Sequence, residues 1–485
     1  MFIIIAAFII IAFLIYLLYG WINCLKRRID LSKKEYHLYF LIAFSAFVII
    51  LIPSFIAAFP GVFSYDSPHQ LWQIVSDEGI IENNQPVVSS FFLAGIMSVG
   101  KLIFGSWESG LSLYLIMQIV LFSATFSFIL TRYVLPYGKM YYYICIVLIG
   151  AYPANQLFLV NAGKDVMYAL FVVWTIVVLY DITKRVLRDE KVSNVEYVIF
   201  SIFEFFVLLW RNNSIYALVI AVLFIFLTYR KKVVKLMAIC GIVALVYVAV
   251  VRILFPSFGI SGSSIAESLA VPEQQMTSVY VNKRDSLTKE QEEYIQDIMP
   301  DGFELLYNPT NSDNIRPRMK VQTIEEKGIF ELVKNWFEIG VDNPLEYAKA
   351  FLNNTRGYWY LFHDFSRVGS DRYIEYDNFY SARCIKLDRY MLDTSLSRFY
   401  YIISDENFLG NYRAVSWLFS IAFSFWMYMI LAGYAIYAKA KRVYSVYIYL
   451  CGVLITLLLG PLALMRYIYP FTLALPFLLF INADE

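Results

Sequence analysis

Charge is scarce in this chain, histidine is nearly absent and cysteine is sparse and scattered. Only 16% of the 485 residues are charged, against about 25% in an ordinary soluble domain, which excludes a soluble globule. Forty basic residues against 39 acidic ones leave a net charge of +1, so nothing points to nucleic acid or to a broad anionic surface as a partner. The cysteines Cys24, Cys145, Cys240, Cys384 and Cys451 stand apart, and all but Cys384 lie in or beside apolar runs; this is not a disulfide framework. Solenoid-type repeats and low-complexity segments are missing as well. The first apolar run has neither a basic leading segment nor a small-residue cleavage site, so 2–22 reads as a retained helix.

What the chain has in abundance is apolar sequence, 59% hydrophobic and 18% aromatic. A spanning helix needs about 20 mostly apolar residues, and eleven runs qualify: 2–22, 38–59, 109–131, 140–160, 165–183, 195–211, 213–229, 236–254, 412–437, 444–462 and 467–482. Basic residues fill every second loop: Lys26 to Lys34, Arg132 and Lys139, Lys184 to Lys191, Arg230 to Lys235, and Lys439 to Arg442. Because basic loops stay in the cytoplasm, the reading is an all-α polytopic membrane protein with its N-terminus outside and its C-terminus cytoplasmic. The segment 86–105 is apolar but punctuated by glycine; counting it as a span would invert the charge pattern, so it is expected to lie along the outer surface as an interfacial helix, with a re-entrant segment as the alternative.

Three regions follow: an N-terminal membrane module, 1–254, with an external loop at 60–108; a mostly helical external domain, 255–411; and C-terminal membrane helices, 412–485. Helical patterns inside the external domain cover 288–298, 321–339 and 343–351, and Tyr358-Trp359-Tyr360 is expected near the lipid.

The stretch with the most chemistry is Pro60-Gly61-Val62-Phe63-Ser64-Tyr65-Asp66-Ser67-Pro68-His69-Gln70. Pro60-Gly61 breaks the preceding helix, and Ser67-Pro68 reads as the start of the next. Asp66 stands just before that start, where it either caps the helix or serves chemistry. Ionisable groups at membrane depth are costly and mark function by default. Four more gather at the same expected face: Lys164 and Asp165 in the second external loop, Arg211 in the third, and Arg466 beside Tyr467 in the last. Arg and Lys suit phosphate oxygens, and a carboxylate can take a proton from an attacking hydroxyl. His69, one turn from Asp66, is placed to orient it or to join a metal; a lone histidine there is more often a surface or capping group. Glu204 sits deeper, within the sixth run, as an internal hydrogen-bonding or ion-pairing group.

The ordered motifs Pro60 to Asp66, Gln85-Pro86 through Phe104-Gly105, Lys164-Asp165, Arg211-Asn212-Asn213, Pro272 to Gln275 and Arg466-Tyr467 resemble the GT-C superfamily of polytopic membrane glycosyltransferases. The likeness is to the protein O-mannosyltransferase-like and lipid A arabinosyltransferase-like enzymes, and most of all to an uncharacterised bacterial group of that kind. The resemblance implies an inverting glycosyltransferase of the bacterial plasma membrane. Its donor would be a polyprenyl-phosphate-linked sugar, and its acceptor a glycan, lipid or protein of the cell envelope. It also implies Asp66 and Asp165 as catalytic carboxylates, with Lys164, Arg211, Arg466, His69, Gln70 and Tyr467 binding substrate and phosphate. The Asp-Xaa-Asp metal-binding form of some members is missing, which weighs against a metal requirement and leaves a divalent metal as an open alternative, and the first run is extra to the usual pattern. A transporter or flippase of lipid-linked saccharide is the alternative, although the paired halves common in transporters are not found.

Overall fold

A computed structural model describes residues 13–22, 24–25, 29–63, 66–77, 79–361, 387–388, 394–405 and 417–484. The described residues are helical throughout, joined by turns, with two isolated β-bridges in place of any sheet. Lys26, Arg27, Arg28, His363, Cys384 and most of the first run lie outside the described residues.

The bundle begins with α1 (Phe13–Ile22) and α2 (Lys33–Ala58). Ser32 and Glu35 form a reciprocal capping box that starts α2, satisfying two amide groups that would otherwise lack partners. Then come α3 (Ser67–Val75), α4 (Val87–Phe104), α5 (Trp107–Ile129), α6 (Lys139–Ala151), α7 (Pro153–Phe158), α8 (Lys164–Leu187), α9 (Asn194–Trp210), α10 (Ser214–Tyr229) and α11 (Val234–Ala249). Each of the eleven expected runs contains helix, and the stretches 33–58, 87–104, 107–137, 164–187 and 214–257 are long and apolar enough to cross a membrane. This is a membrane protein.

One expectation needs correction. The run 140–160 is two helices and not one, because Pro153 has no amide hydrogen and its ring pushes Tyr152 out of helical geometry, to ψ 123. The segment 86–105 is helical, as expected: α4 has the length and apolar composition to cross a membrane, Gly105 (φ 85) ends it, and the Ser106 side chain caps α5. Glycines close the α4–α5 hairpin. A Cβ on Gly110 would stand 2.2 Å from the Met97 carbonyl oxygen, and one on Gly100 would stand 2.5 Å from Cα of Gly110, so the two backbones touch where any side chain would part them.

Between α11 and the last helices stands a layer with its own core. It contains α12 (Ala270–Asn282), α13 (Lys289–Ile298), α14 (Val321–Lys327), α15 (Ile329–Asp342) and α16 (Pro344–Asn354). Met276, Val279, Ile295, Ile298, Met299, Ile324, Leu332 and Ile339 make that core, separate from the large one of the bundle. The 255–411 interval is nevertheless not one unit. Helix α18 (Thr394–Ser404), which follows the short α17 (Arg356–Trp359), lies back on the bundle: Ser397 donates to the Ala57 carbonyl at 2.6 Å and Tyr400 to Gln156 at 3.0 Å. The bundle closes with α19 (Ile421–Tyr437), α20 (Tyr444–Leu458) and α21 (Met465–Ile481). Of the aromatic triplet, Tyr358 is buried, with its hydroxyl reaching the Leu462 carbonyl, while Trp359, whose carbonyl accepts from Trp426, and Tyr360 are half-buried.

Candidate functional site

The loop that carries Asp66 is held by the backbone beside it. Val62 donates to the Val160 carbonyl at 2.8 Å and Ala162 donates to the Val62 carbonyl at 2.9 Å. Gln118 of α5 donates to three carbonyls of the same turn, those of Phe158, Leu159 and Asn161. The two segments, about a hundred residues apart in sequence, are thereby locked side by side. Asp66 consequently faces the first residue of α8.

Asp66 occupies the cap position of α3 but makes no capping hydrogen bond. Its Oδ2 instead accepts from Lys164 Nζ at 2.9 Å and from Arg466 Nη1 at 3.1 Å. The structure thus chooses ion pairing over capping. Burial alone would push this carboxyl up, but Lys164 and Arg466 outweigh it and hold Asp66 well below the usual carboxylate range. Lys164 also donates to Gln85 Oε1. Arg466 lies 3.9 Å from Asp165, which is buried behind it.

Arg211 completes the group in a different way. Its guanidinium stands over the rings of Tyr168 and Tyr467, 5.2 and 4.6 Å from their centres, while Arg466 stacks on Tyr467 at 5.0 Å. One ring thus meets two cations. Among the described residues Arg211 makes no salt bridge, and its Nη1 is buried with no hydrogen-bond partner. The turn that bears it is fixed by Asn212, which donates to the Asn83 carbonyl at 2.7 Å and accepts from the Asn83 side chain at 3.2 Å.

Asp66, Lys164, Arg211, Arg466 and Tyr467 line one cavity of about 620 Å³, within the size range of a ligand site. Its roof comes from the separate helical layer, where Arg316 pairs with Glu267 at 2.6 Å and Asp313 at 2.7 Å. Ser312 donates to the Pro461 carbonyl and Asn354 to that of Gly460, bolting the roof to the loop before Arg466. On another side the wall is apolar, with Tyr216, Tyr247, Val248, Val251, Leu457 and Leu459. Tyr216, Val248 and Leu459 are exposed on the outside of the bundle.

Two expected site residues lie elsewhere. His69 is exposed, its ring tilted by 31° against that of Trp72, and 3.9 Å from Glu82. Gln70 is buried and donates to Ser89, joining α3 to α4. Gln85, Asn83, Arg316 and the apolar wall were not expected at the site; the Gln85-Pro86 motif was the one signal that could have found any of them. Among the described residues no three His, Cys, Asp or Glu side chains gather as a metal site. At the opposite end of the bundle lie the basic loops, where Arg132 pairs with Asp181, Lys232 with Asp189, and Tyr229 donates to the Lys441 carbonyl. The cavity and the basic loops therefore occupy opposite ends.

Residues 54–485 match the model of a family of unknown function, DUF6020, and the chain belongs to that family. No curated protein and no solved structure matches the chain.

Proposed function

We propose that the chain is a GT-C-type inverting membrane glycosyltransferase, moving a sugar from a polyprenyl-phosphate donor to a cell-envelope acceptor. One observation carries this reading: Lys164, Arg211 and Arg466 share a cavity with the Asp66 carboxylate, and while its roof is polar, with Arg316, Glu267 and Asp313, one wall is apolar and reaches the exposed outer surface of the bundle. An anionic headgroup with a long hydrocarbon tail has that chemistry. The charge pattern supports eleven spans, with α4 along the surface. It also supports a cavity on the outer face of the bacterial plasma membrane, with the N-terminus outside and the C-terminus in the cytoplasm.

In the reaction, Arg211, Lys164 and Arg466 bind the donor phosphate and stabilise the charge it gains as a leaving group. Asp66 takes the proton of the acceptor hydroxyl. The acceptor oxygen bonds to the anomeric carbon from the face opposite the phosphate, the carbon–oxygen bond to phosphate breaks with its electron pair, and configuration inverts. The ion pairs add a condition. While Asp66 holds Lys164 and Arg466 it is a weak base; a phosphate that draws those cations away leaves the carboxylate less stabilised and more basic. Donor binding thus precedes and enables proton removal. Asp165, behind Arg466, positions that cation.

Purified protein supplied with a polyprenyl-phosphate sugar and envelope acceptors should transfer the sugar, and Asp66→Asn should not. Movement of the lipid-linked sugar across a vesicle membrane without transfer would assign the transporter alternative.

A further inference from the structure

Helix α15 divides its surface into three. Leu332, Trp336 and Ile339 face the core of the roof layer, where the Trp336 indole donates to Gln275 at 2.8 Å and its carbonyl accepts from Tyr347. Glu331, Lys334, Glu338 and Asp342 form a charged ridge. Between them runs an exposed apolar ridge of Phe330, Val333, Phe337 and Val341, at 80%, 50%, 63% and 61% exposure. Spacings of three and four residues put these side chains on one face. The three ridges are turned from one another by roughly 100° to 140° on the helical wheel. A helix in water needs two faces; a third, apolar face indicates a third medium.

The ridge does not end with α15. On α16 the exposed residues Leu345, Ala348 and Leu352 continue it at the same helical spacing. Two residues after Leu352, Asn354 donates to the Gly460 carbonyl, next to Leu459, itself an exposed end of membrane helix α20. From there α17 packs on α19, with Trp426 donating to the Trp359 carbonyl at 2.7 Å. The apolar line therefore runs from α15 toward the exposed apolar surface of the bundle, with one charge beside it, the exposed Lys349, which stands at helical spacing from Leu345 and Leu352 and pairs with Glu346.

We propose that α15 and α16 lie in the surface of the bilayer, at the end of the bundle that holds the cavity, with Phe330, Val333, Phe337, Val341, Leu345 and Leu352 among the lipid chains. The occupant of the ridge is lipid and not a second protein, because the ridge is continuous with the exposed apolar surface of the membrane-spanning bundle and is bordered on its outer side by charge, as an interfacial helix requires. Three acids against Lys334 make that border acidic, so apolar contact carries the attachment, independently of anionic headgroups. The roof of the cavity is thereby held at headgroup level, whatever the cavity binds.

The test uses the full chain in phosphatidylcholine nanodiscs, with native cysteines replaced by serine and a nitroxide at Phe337→Cys or Val341→Cys. Collision with oxygen should exceed collision with a water-soluble nickel chelate several-fold relative to a label at Glu338→Cys, one residue away but on the charged ridge. Replacing half the lipid with phosphatidylglycerol should leave that pattern unchanged. Equal nickel accessibility at 337 and 338 would overturn the proposal, and spin coupling that disappears on dilution with unlabelled chain would give the ridge to a second copy instead. In the unmodified protein, lipids carrying a photoreactive group in the acyl chain should label the 329–352 peptide; labelling restricted to the bundle helices would contradict the proposal.

Discussion

Replacing Asp66 by asparagine should make the cavity bind phosphate more tightly even as it abolishes transfer. In the wild type both Lys164 and Arg466 are engaged by a single carboxylate oxygen, at 2.9 and 3.1 Å. An anion seated on those cations comes within about 5 Å of that carboxylate, and at an effective dielectric of about 20 two unit charges at this distance repel by about 3 kcal/mol. The Asp66 side chain is 26% exposed, so solvent and salt screen part of this. Taking half leaves about 1.5 kcal/mol, or roughly tenfold in affinity. Farnesyl phosphate titrated into nanodisc-embedded protein, read by calorimetry, measures the difference directly. Asp66→Asn binding no tighter than wild type would refute the competition between Asp66 and phosphate, and with it the argument that donor binding frees the base.

Arg211→Gln should weaken farnesyl phosphate at least tenfold with little change in thermal stability, since Arg211 gives up no salt bridge among the described residues; the same titration and a melting curve check both halves. The low-lying Asp66 carboxyl predicts a pH dependence. Its ion pairs contribute full stability above the unfolded carboxyl value of about 3.9 and lose it as pH falls toward the folded value. The melting temperature of the wild type should therefore exceed that of Asp66→Asn by a constant margin from pH 7 to about pH 4, and the margin should shrink below it. A margin that appears only above pH 6 would mean that Asp66 is protonated in the folded protein. For topology, a membrane-impermeant thiol reagent added outside intact cells should reach Leu305→Cys, on the roof layer, and miss Asp189→Cys, at the basic end. The reverse pattern would turn the protein over in the membrane.

Much of the fold was legible because a bilayer makes a coarse demand, about 20 apolar residues per crossing, and each such run contains helix. Fine detail was legible only where backbone chemistry is local: the breaks at Pro60-Gly61 and Gly105 could be read, whereas the Pro153 break was hidden inside a uniformly apolar run. At the site, Lys164, Arg211 and Arg466 stood out as charges at helix ends, where an unpaired charge facing lipid is expensive. Their partners did not, because the contact from Asp66 to Arg466 spans 400 residues. Nearness in sequence misled for His69 and Gln70. Asp66 lies outside α3 and they lie within it, so the first turn of that helix aims His69 at solvent and Gln70 at α4. Composition did not separate the members of Tyr358-Trp359-Tyr360, of which Tyr358 is a core residue and the other two are half-buried. Arg316 and the rest of the roof carried no periodicity or motif that could connect them to a cavity formed by distant helices.

The central claim is that this cavity holds a lipid-linked phosphate, and an experimental density map of the protein with bound farnesyl phosphate tests it most directly. The account predicts phosphate density among Lys164, Arg211 and Arg466, with Lys164 and Arg466 drawn away from Asp66 and the chain leaving past Tyr216 and Tyr247. Phosphate density at any other place, or a cavity that keeps its Asp66 ion pairs at saturating ligand, would contradict it.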